Sequence, residues 1–292
     1  MSSISFGSPA RGALRLTAYA LVTLLGMPLQ LAAVGLRWRG LAVAIPLRYH
    51  KIACWIFGLK VEIHGTRSIA VPTLFVSNHV SYLDIEVLGS VLPASFVAKA
   101  EVSTWPFFSW LAKLQRTVFV ERVPRAARGS RDEMVERLAA GDSLILFPEG
   151  TSGDGQRVLP FRTSLFAVAG AAVGGRPLCV QPVTIAYTRL DGIPLGRYWR
   201  PFFAWFGDME LVGHLWNVTK LGQAAVVVVF HEPTDIEAIG DRKKLAAHCE
   251  RSIAATLQTL NRDGGTGSLK AAAPVARPRP PGLPRLDAAP DR

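Results

Sequence analysis

Between Ala13 and Leu36 the chain reads "ALRLTAYALVTLLGMPLQLAAVGL", twenty-four residues carrying a single charge, Arg15. A helix of that length reaches across a hydrocarbon core of about 30 Å, so the segment reads as membrane-embedded. A cleaved signal peptide is the alternative, but the run is longer than a usual h-region and no clean cleavage site precedes the basic "RWRG". Pro28 and Gln30 interrupt its second half, which leaves open one span or two shorter helices entering one leaflet. Arg37, Trp38, Arg39, Arg48, Lys51, Trp55 and Lys60 follow, a mixture of cations and amphipathic aromatics of the kind that settles at the headgroup level. The segment "LAVAIPLRYHKIACWIFGL" therefore reads as interfacial. The excess of Lys and Arg after the apolar run places the rest of the chain on the cytoplasmic side.

Composition agrees with a lipid surface. The chain has 49% hydrophobic residues and a net charge of +11, with a pI near 10.1 and a positive mean hydropathy of +0.24. Such an oily, basic protein suits an anionic membrane better than nucleic acid, for which a basic, aromatic-interleaved stripe, a zinc finger or an RNP motif is expected and none is visible. Cys54, Cys179 and Cys249 stand singly, without CxxC or Cys/His spacing, so neither a disulfide framework nor a zinc site is expected.

From Val61 onward short β-rich runs alternate with helix-like segments. The candidate strands are "VEIH", "TLFVS", "SFVA", "TVFVE", "SLILF", "CVQPVTIAY" and "AVVVVF". Helical spacing marks 84–90, 104–114, 126–140, 163–173 and a closing helix over 242–261. This is the pattern of an α/β domain, a layered mixed sheet flanked by helices. The chain divides into a membrane and interfacial segment (1–60), one domain (61–263) and a Pro-, Ala- and Arg-rich tail (264–292) that cannot bury a core and reads as disordered.

Within "TLFVSNHVSYLDIEVL", His79 and Asp84 stand five residues apart. On one helix a five-residue step turns about 140°, so the two would not share a face. They can meet only if His79 lies in the turn after a strand and Asp84 in the first turn of the next helix. A histidine held there by a carboxylate leaves its other ring nitrogen free to take a proton from a hydroxyl. The plainer alternative is an S-x-x-D helix start, with Ser81 as N-cap and Asp84 near the positive end of the helix dipole.

"NHVSYLD" resembles the NHxSxxD signature of the glycerolipid acyltransferases, the family that includes the lysophosphatidic acid acyltransferases. Three further blocks stand in that family's order: "KAEVSTWPFFSWLAKLQRTVFVER", "FPEGTSGDG" and "VQPVTIAY". The resemblance spans Asn78 to Tyr187. It implies that His79 is a general base oriented by Asp84, and that Arg122, Glu149 and Gly150 bind the acceptor's phosphate end; Lys99 is read at the mouth of the site, and Thr151 of the FPEG loop with the substrate-binding residues. A guanidinium at Arg122 would meet a phosphate as a bidentate fork. Glu149 would repel a phosphate, so it is assigned to a glycerol hydroxyl or to positioning Arg122 by an ion pair. Pro182 is assigned to fixing its strand, and its block reads as structural. Ser109 replaces a glycine common in the second block, and "FRTSLF" replaces an FKxG-like step after the third. Arg162 is a further cation beside the FPEG loop.

"FFAWFGDMELVGHLW", from Phe202 to Trp216, is unusual for a generic member and looks like a bacterial subgroup that includes lyso-ornithine lipid acyltransferases. Asp208 and His214 within it read as part of a packed or membrane-facing element.

The resemblance implies direct transfer of an acyl group from acyl-CoA or acyl carrier protein to a lysolipid hydroxyl, with no metal or cofactor, at the bacterial inner membrane facing the cytoplasm. The first-choice acceptor is 1-acyl-glycerol 3-phosphate, with lyso-ornithine lipid as the alternative. A covalent acyl-enzyme would need a nucleophile beside the base, and Ser81 is the hydroxyl near in sequence. A basic surface adaptor and a metal-dependent hydrolase are the competing classes; the hydrolase needs a further His/Asp/Glu cluster.

Overall fold

The computed structural model describes residues 7–105, 108–120 and 127–265. The Pro/Arg-rich tail from residue 266 onward and Arg122 lie outside these described residues.

Two helices open the chain, α1 (Pro9–Gly35) and α2 (Arg39–Phe57). Helix α1 runs unbroken through Pro28, and the second helix is built from the segment read as interfacial. Among the described residues α1 is long and apolar enough to cross a membrane by length and composition. Then come β1 (Leu59–His64), β2 (Thr73–Ser77), α3 (Leu83–Val91), β3 (Ser95–Lys99), α4 (Phe108–Leu114), β4 (Val118–Val120), α5 (Ala127–Ala139) and β5 (Leu144–Leu146). A small hairpin of β6 (Ala172–Val173) and β7 (Arg176–Pro177) precedes β8 (Cys179–Leu190) and β9 (Ile193–Pro194). The chain ends with α6 (Leu211–Lys220), β10 (Ala224–Phe230), α7 (Ile236–Ile239) and α8 (Arg242–Asp263).

The main sheet has the order β1-β10-β8-β2-β5-β3-β4, with β9 paired to β8. Strands β8, β2, β5, β3 and β4 are mutually parallel, while β10 is antiparallel to β8 and parallel to β1. The sheet is therefore mixed, as expected. Strand β2 sits between β5 and β8 and is buried along its whole length. Because alternate side chains leave opposite faces of a strand, Phe75 enters a core shared with α2, α3 and α6, while Leu74 and Val76 enter one beneath α5 and α8. Helix α8 presents Leu245, Cys249, Ile253, Leu257 and Leu260 along one stripe, all fully or nearly fully buried. At about 1.5–3 kcal/mol for each large apolar side chain, that stripe alone fixes α8 to the sheet. The carboxylate of Asp241 caps its start by accepting from Lys243 N and Lys244 N.

The segment 163–173, expected to be an α-helix, winds instead as a 3-10 helix over Thr163–Gly170 and continues into β6. Gly174 and Gly175 at the hairpin tip both take positive φ, and this turn cuts the helix short.

Helices α1 and α2 pack on the domain through a buried polar set. His50 Nδ1 lies 2.7 Å from Glu86 Oε2 and its Nε2 lies 3.1 Å from Gln115 Oε1. Tyr19 donates to the other oxygen of Glu86 at 3.0 Å. Gln30, which interrupts the apolar run in sequence, is buried and donates to the carbonyls of Ala42 and Leu114. Nearer the start, Arg15 donates to the carbonyls of Thr219, Leu221 and Gly222, closing the end of α6. Buried polar groups need such partners, and here the partners bind α1 to α2, α3, α4 and α6 along its length.

Candidate active site

Strand β2 ends at Ser77, and the next five residues turn before α3 begins. Asn78 fixes that turn to β8 by a pair of bonds: its Nδ2 donates to Ile185 O at 3.0 Å, and Ile185 N donates to its Oδ1 at 2.9 Å. The turn emerges at the carboxyl ends of parallel strands, where open α/β sheets place ligand sites.

Asp84, in the first turn of α3, is fully buried. Its Oδ2 accepts from Val80 N at 2.6 Å and Ser81 N at 3.0 Å, and lies 2.9 Å from His79 Nδ1. Its Oδ1 accepts from Tyr187 OH at 2.9 Å. Facing a carboxylate, Nδ1 carries the imidazole hydrogen, which leaves the lone pair on Nε2. The His79 ring is stacked on Phe147 with centroids 4.1 Å apart, and its side chain is 20% exposed. A hydroxyl arriving at Nε2 would thus meet a base whose tautomer and orientation are already set.

The two readings of this stretch meet in one geometry. Asp84 reaches back to the amides before the helix, as a capping acid does, while holding His79. Ser81 is not the N-cap: α3 starts after Tyr82 with no side-chain cap, and the Ser81 hydroxyl is fully buried without a hydrogen-bond partner. A nucleophile so enclosed would not reach a thioester.

Glu149, in the loop after β5, is 4% exposed. One oxygen accepts from His79 N and the other from Leu159 N, each at 2.8 Å. Gly153 N in turn donates to His79 O at 2.9 Å. The glutamate expected to meet a glycerol hydroxyl or Arg122 is thus occupied by the backbone, clamping His79 from behind. Burial pushes its carboxyl up to about 8, outweighing the two amides that lower it. Gly150 takes φ +68°, and a Cβ there would sit 2.7 Å from Arg162 Nε, so the Arg162 side chain lies across this glycine. Thr151 is exposed on the loop, and Lys99 closes β3 half-buried.

The structure brings His79, Asp84 and Glu149 together. It adds two residues that the reading of the motifs had not singled out. Tyr187, the last residue of the fourth block, touches Asp84 directly, and burial with the neighbouring Asp84 charge holds its phenol well above the ordinary range, so it stays a donor. Trp205 lies in the unusual aromatic segment: its N donates to Val80 O at 2.9 Å and its carbonyl accepts from the Ser152 hydroxyl. Its ring meets Tyr82 and Trp105 edge-on. The aromatic spacing of 202–216 was the signal available for it. His214 of the same segment pairs with Tyr82 OH at 2.9 Å, and burial lowers its proton affinity, in keeping with a packed role. Among the described residues no three His, Cys, Asp or Glu side chains gather as a metal site.

Residues 60–186 match the family model described as Acyltransferase. The chain is 46% identical over 219 residues, 74% of this chain and 82% of the relative, to the lyso-ornithine lipid O-acyltransferase of Brucella abortus. The chain belongs to the acyltransferase family. This acyltransferase is also 42% identical to the lyso-ornithine lipid O-acyltransferase of Rhizobium meliloti, over 77% of this chain and 78% of that one. It is 32% identical to the 1-acyl-sn-glycerol-3-phosphate acyltransferase of Neisseria gonorrhoeae, over 63% and 69%. Its fold matches the crystal structure of the 1-acyl-sn-glycerophosphate acyltransferase PlsC from Thermotoga maritima with a TM-score of 0.61, at 21% identity, over 86% of this chain and 96% of that one.

Proposed function

We propose that this acyltransferase moves an acyl group from a thioester to the free hydroxyl of lyso-ornithine lipid. The observation that carries this reading is the higher identity, over more of both chains, to relatives bearing that activity than to the 1-acyl-sn-glycerol-3-phosphate acyltransferase. The acceptor first read from the motifs, 1-acyl-glycerol 3-phosphate, gives way on this ground. The aromatic segment that resembles the lyso-ornithine subgroup also lies against the turn bearing His79, where it would shape acceptor choice.

In this mechanism the acceptor hydroxyl hydrogen-bonds to His79 Nε2. As the proton passes to the ring, the oxygen attacks the thioester carbonyl and Asp84 stabilises the imidazolium. Collapse of the tetrahedral intermediate breaks the C–S bond, and the thiolate recovers the proton from His79. The new ester and the free thiol leave together. Acyl-CoA or acyl carrier protein supplies the thioester as a substrate, and no cofactor takes part in these steps.

The acceptor's bilayer is reached through α1, whose exposed face carries Leu14, Leu21, Leu24, Leu25, Leu29 and Leu31. Bonds from Arg15, Tyr19, Thr23 and Gln30 to other parts of the protein favour α1 lying along the domain and entering one leaflet, with the site at the cytoplasmic headgroup plane of the inner membrane. The test is thioester consumption by purified protein offered lyso-ornithine lipid or 1-acyl-glycerol 3-phosphate. Preferential turnover of the first is expected; turnover of the second alone would refute the proposed acceptor.

A further inference from the structure

We propose that the segment from Ile193 to Val212 is a second lipid-contacting surface, which joins the N-terminal end of α1 to form one apolar face seated on an anionic bilayer. The proposal rests on the membrane reading above and extends it to a part of the chain beyond the residues matched by the family model.

Water-facing apolar groups are concentrated here. Tyr198 is 92% exposed, Val212 72% and Ile193 70%, with Trp199, Phe202 and Phe206 also at the surface. The segment is not loosely held. Arg200 is buried beneath it and donates to the carbonyls of Leu195 and Asn261 and to Gln156 Oε1. Trp205 is tied at its backbone to Val80 and Ser152, and its indole donates to Met209 O. A cationic side chain and an indole are thus spent on holding aromatic rings outward, an arrangement that loses free energy in water and gains it where the rings are covered.

Continuity with α1 indicates what covers them. Trp199 and Phe202 line one apolar hollow with Leu221, whose carbonyl accepts from Arg15 of α1 at 2.8 Å. One turn earlier, Gly12 of α1 packs against Trp216 and Lys220. Exposed Leu14 stands next to Arg15 on the turn of α1 that packs against α6. Arg197 stands exposed beside Tyr198, whereas Lys220 is buried over the Trp216 ring at 5.7 Å. Tyr198 and Trp199 beside Arg197 are the composition favoured at the headgroup level; Asp208 and Glu210 are the exposed carboxylates at the segment's other end, so it is the +11 net charge of the whole chain that suits an anionic surface. Since Trp205 joins this segment to the residues flanking His79, seating it would set the catalytic turn at the membrane plane.

The test uses the full chain and vesicles of phosphatidylglycerol and phosphatidylethanolamine, with or without bromine on the acyl chains. In Tyr198→Trp, the emission added over wild type should shift to the blue on vesicle binding and be quenched by the brominated lipid. Tyr198→Ser combined with Ile193→Ser should weaken flotation with vesicles by about tenfold, while turnover of a short-chain, water-soluble acceptor stays unchanged. Flotation of Tyr198→Trp with its added indole still water-exposed would overturn the proposal and leave the membrane reading standing. Loss of a dimer, with unchanged flotation, in the double-serine variant would assign the face to a second copy of the chain and also overturn it. Failure of the wild type to float would overturn both the proposal and the membrane reading.

Discussion

Replacing Glu149 with glutamine tests the clamp behind His79. The wild-type carboxyl holds two backbone amides, His79 N and Leu159 N, at 2.8 Å each in a site that is 4% exposed. Glutamine offers one oxygen and turns an NH2 donor toward the other amide. One buried donor then loses its partner, at about 1–3 kcal/mol. At roughly 2–4 °C per kcal/mol for a domain of this size, the melting temperature falls by about 2–12 °C. The pH dependence supplies a second signature. Burial raises the Glu149 carboxyl from its ordinary 4.5 to about 8, so between those values the unfolded chain has lost a proton that the folded protein keeps. Wild-type stability therefore declines as pH rises through that window, whereas glutamine has no such proton to lose. At about 1.4 kcal/mol per pKa unit, the decline is bounded at roughly 4–5 kcal/mol. The advantage of wild type over Glu149→Gln is therefore largest near about pH 5 and shrinks as pH rises, and because the full decline exceeds the about 1–3 kcal/mol lost in the variant, it reverses toward about pH 8 where that decline is fully expressed. Thermal unfolding of both proteins in one detergent across that range measures it. A wild-type advantage that is absent near the acidic end, or that grows as pH rises, would refute the reasoning.

Three further outcomes follow from the same contacts. His79→Ala should lower turnover by about two to four orders of magnitude while nearly preserving the melting temperature, since the amide bonded to Glu149 remains; single-turnover thioester assays and calorimetry check both. Tyr187→Phe removes the donor on Asp84 Oδ1 and should cost about 1.5–3 kcal/mol of stability, with kcat falling more than KM rises. Arg15→Gln loses bonds to the carbonyls that end α6 and should lower stability by about 1–2 kcal/mol, read as a lower melting temperature.

The strands were legible because their apolar runs are short, β-branched and bounded by turn residues; "TLFVS" corresponds to β2 residue for residue. The apolar spacing of 242–261 likewise announced α8, which runs two residues further. His79 and Asp84 were legible because the device is local, a turn and one helical step. Tyr187 was not, because it meets Asp84 across 103 residues and only the pairing of β2 with β8 brings it there. Glu149 was legible as a residue but not in its role: both its partners are backbone amides, which leave no mark in a sequence. The length and apolarity of α1 suggested a span, but its attachments depend on single polar residues such as Gln30, which sequence alone showed only as an interruption.

Helix α3 carries Asp84 toward His79 and, two residues on, Glu86 toward His50 and Tyr19. One nine-residue helix thus serves both the proposed reaction and the oily hairpin. The anchor and the catalyst are consequently not modules that can be separated: cutting away α1 and α2 to obtain a water-soluble enzyme would strip Glu86 of its partners and open the core from which α3 is held. A soluble version would have to be made by repainting the leucine face of α1 with polar residues while leaving its inward-facing Tyr19, Thr23 and Gln30 in place.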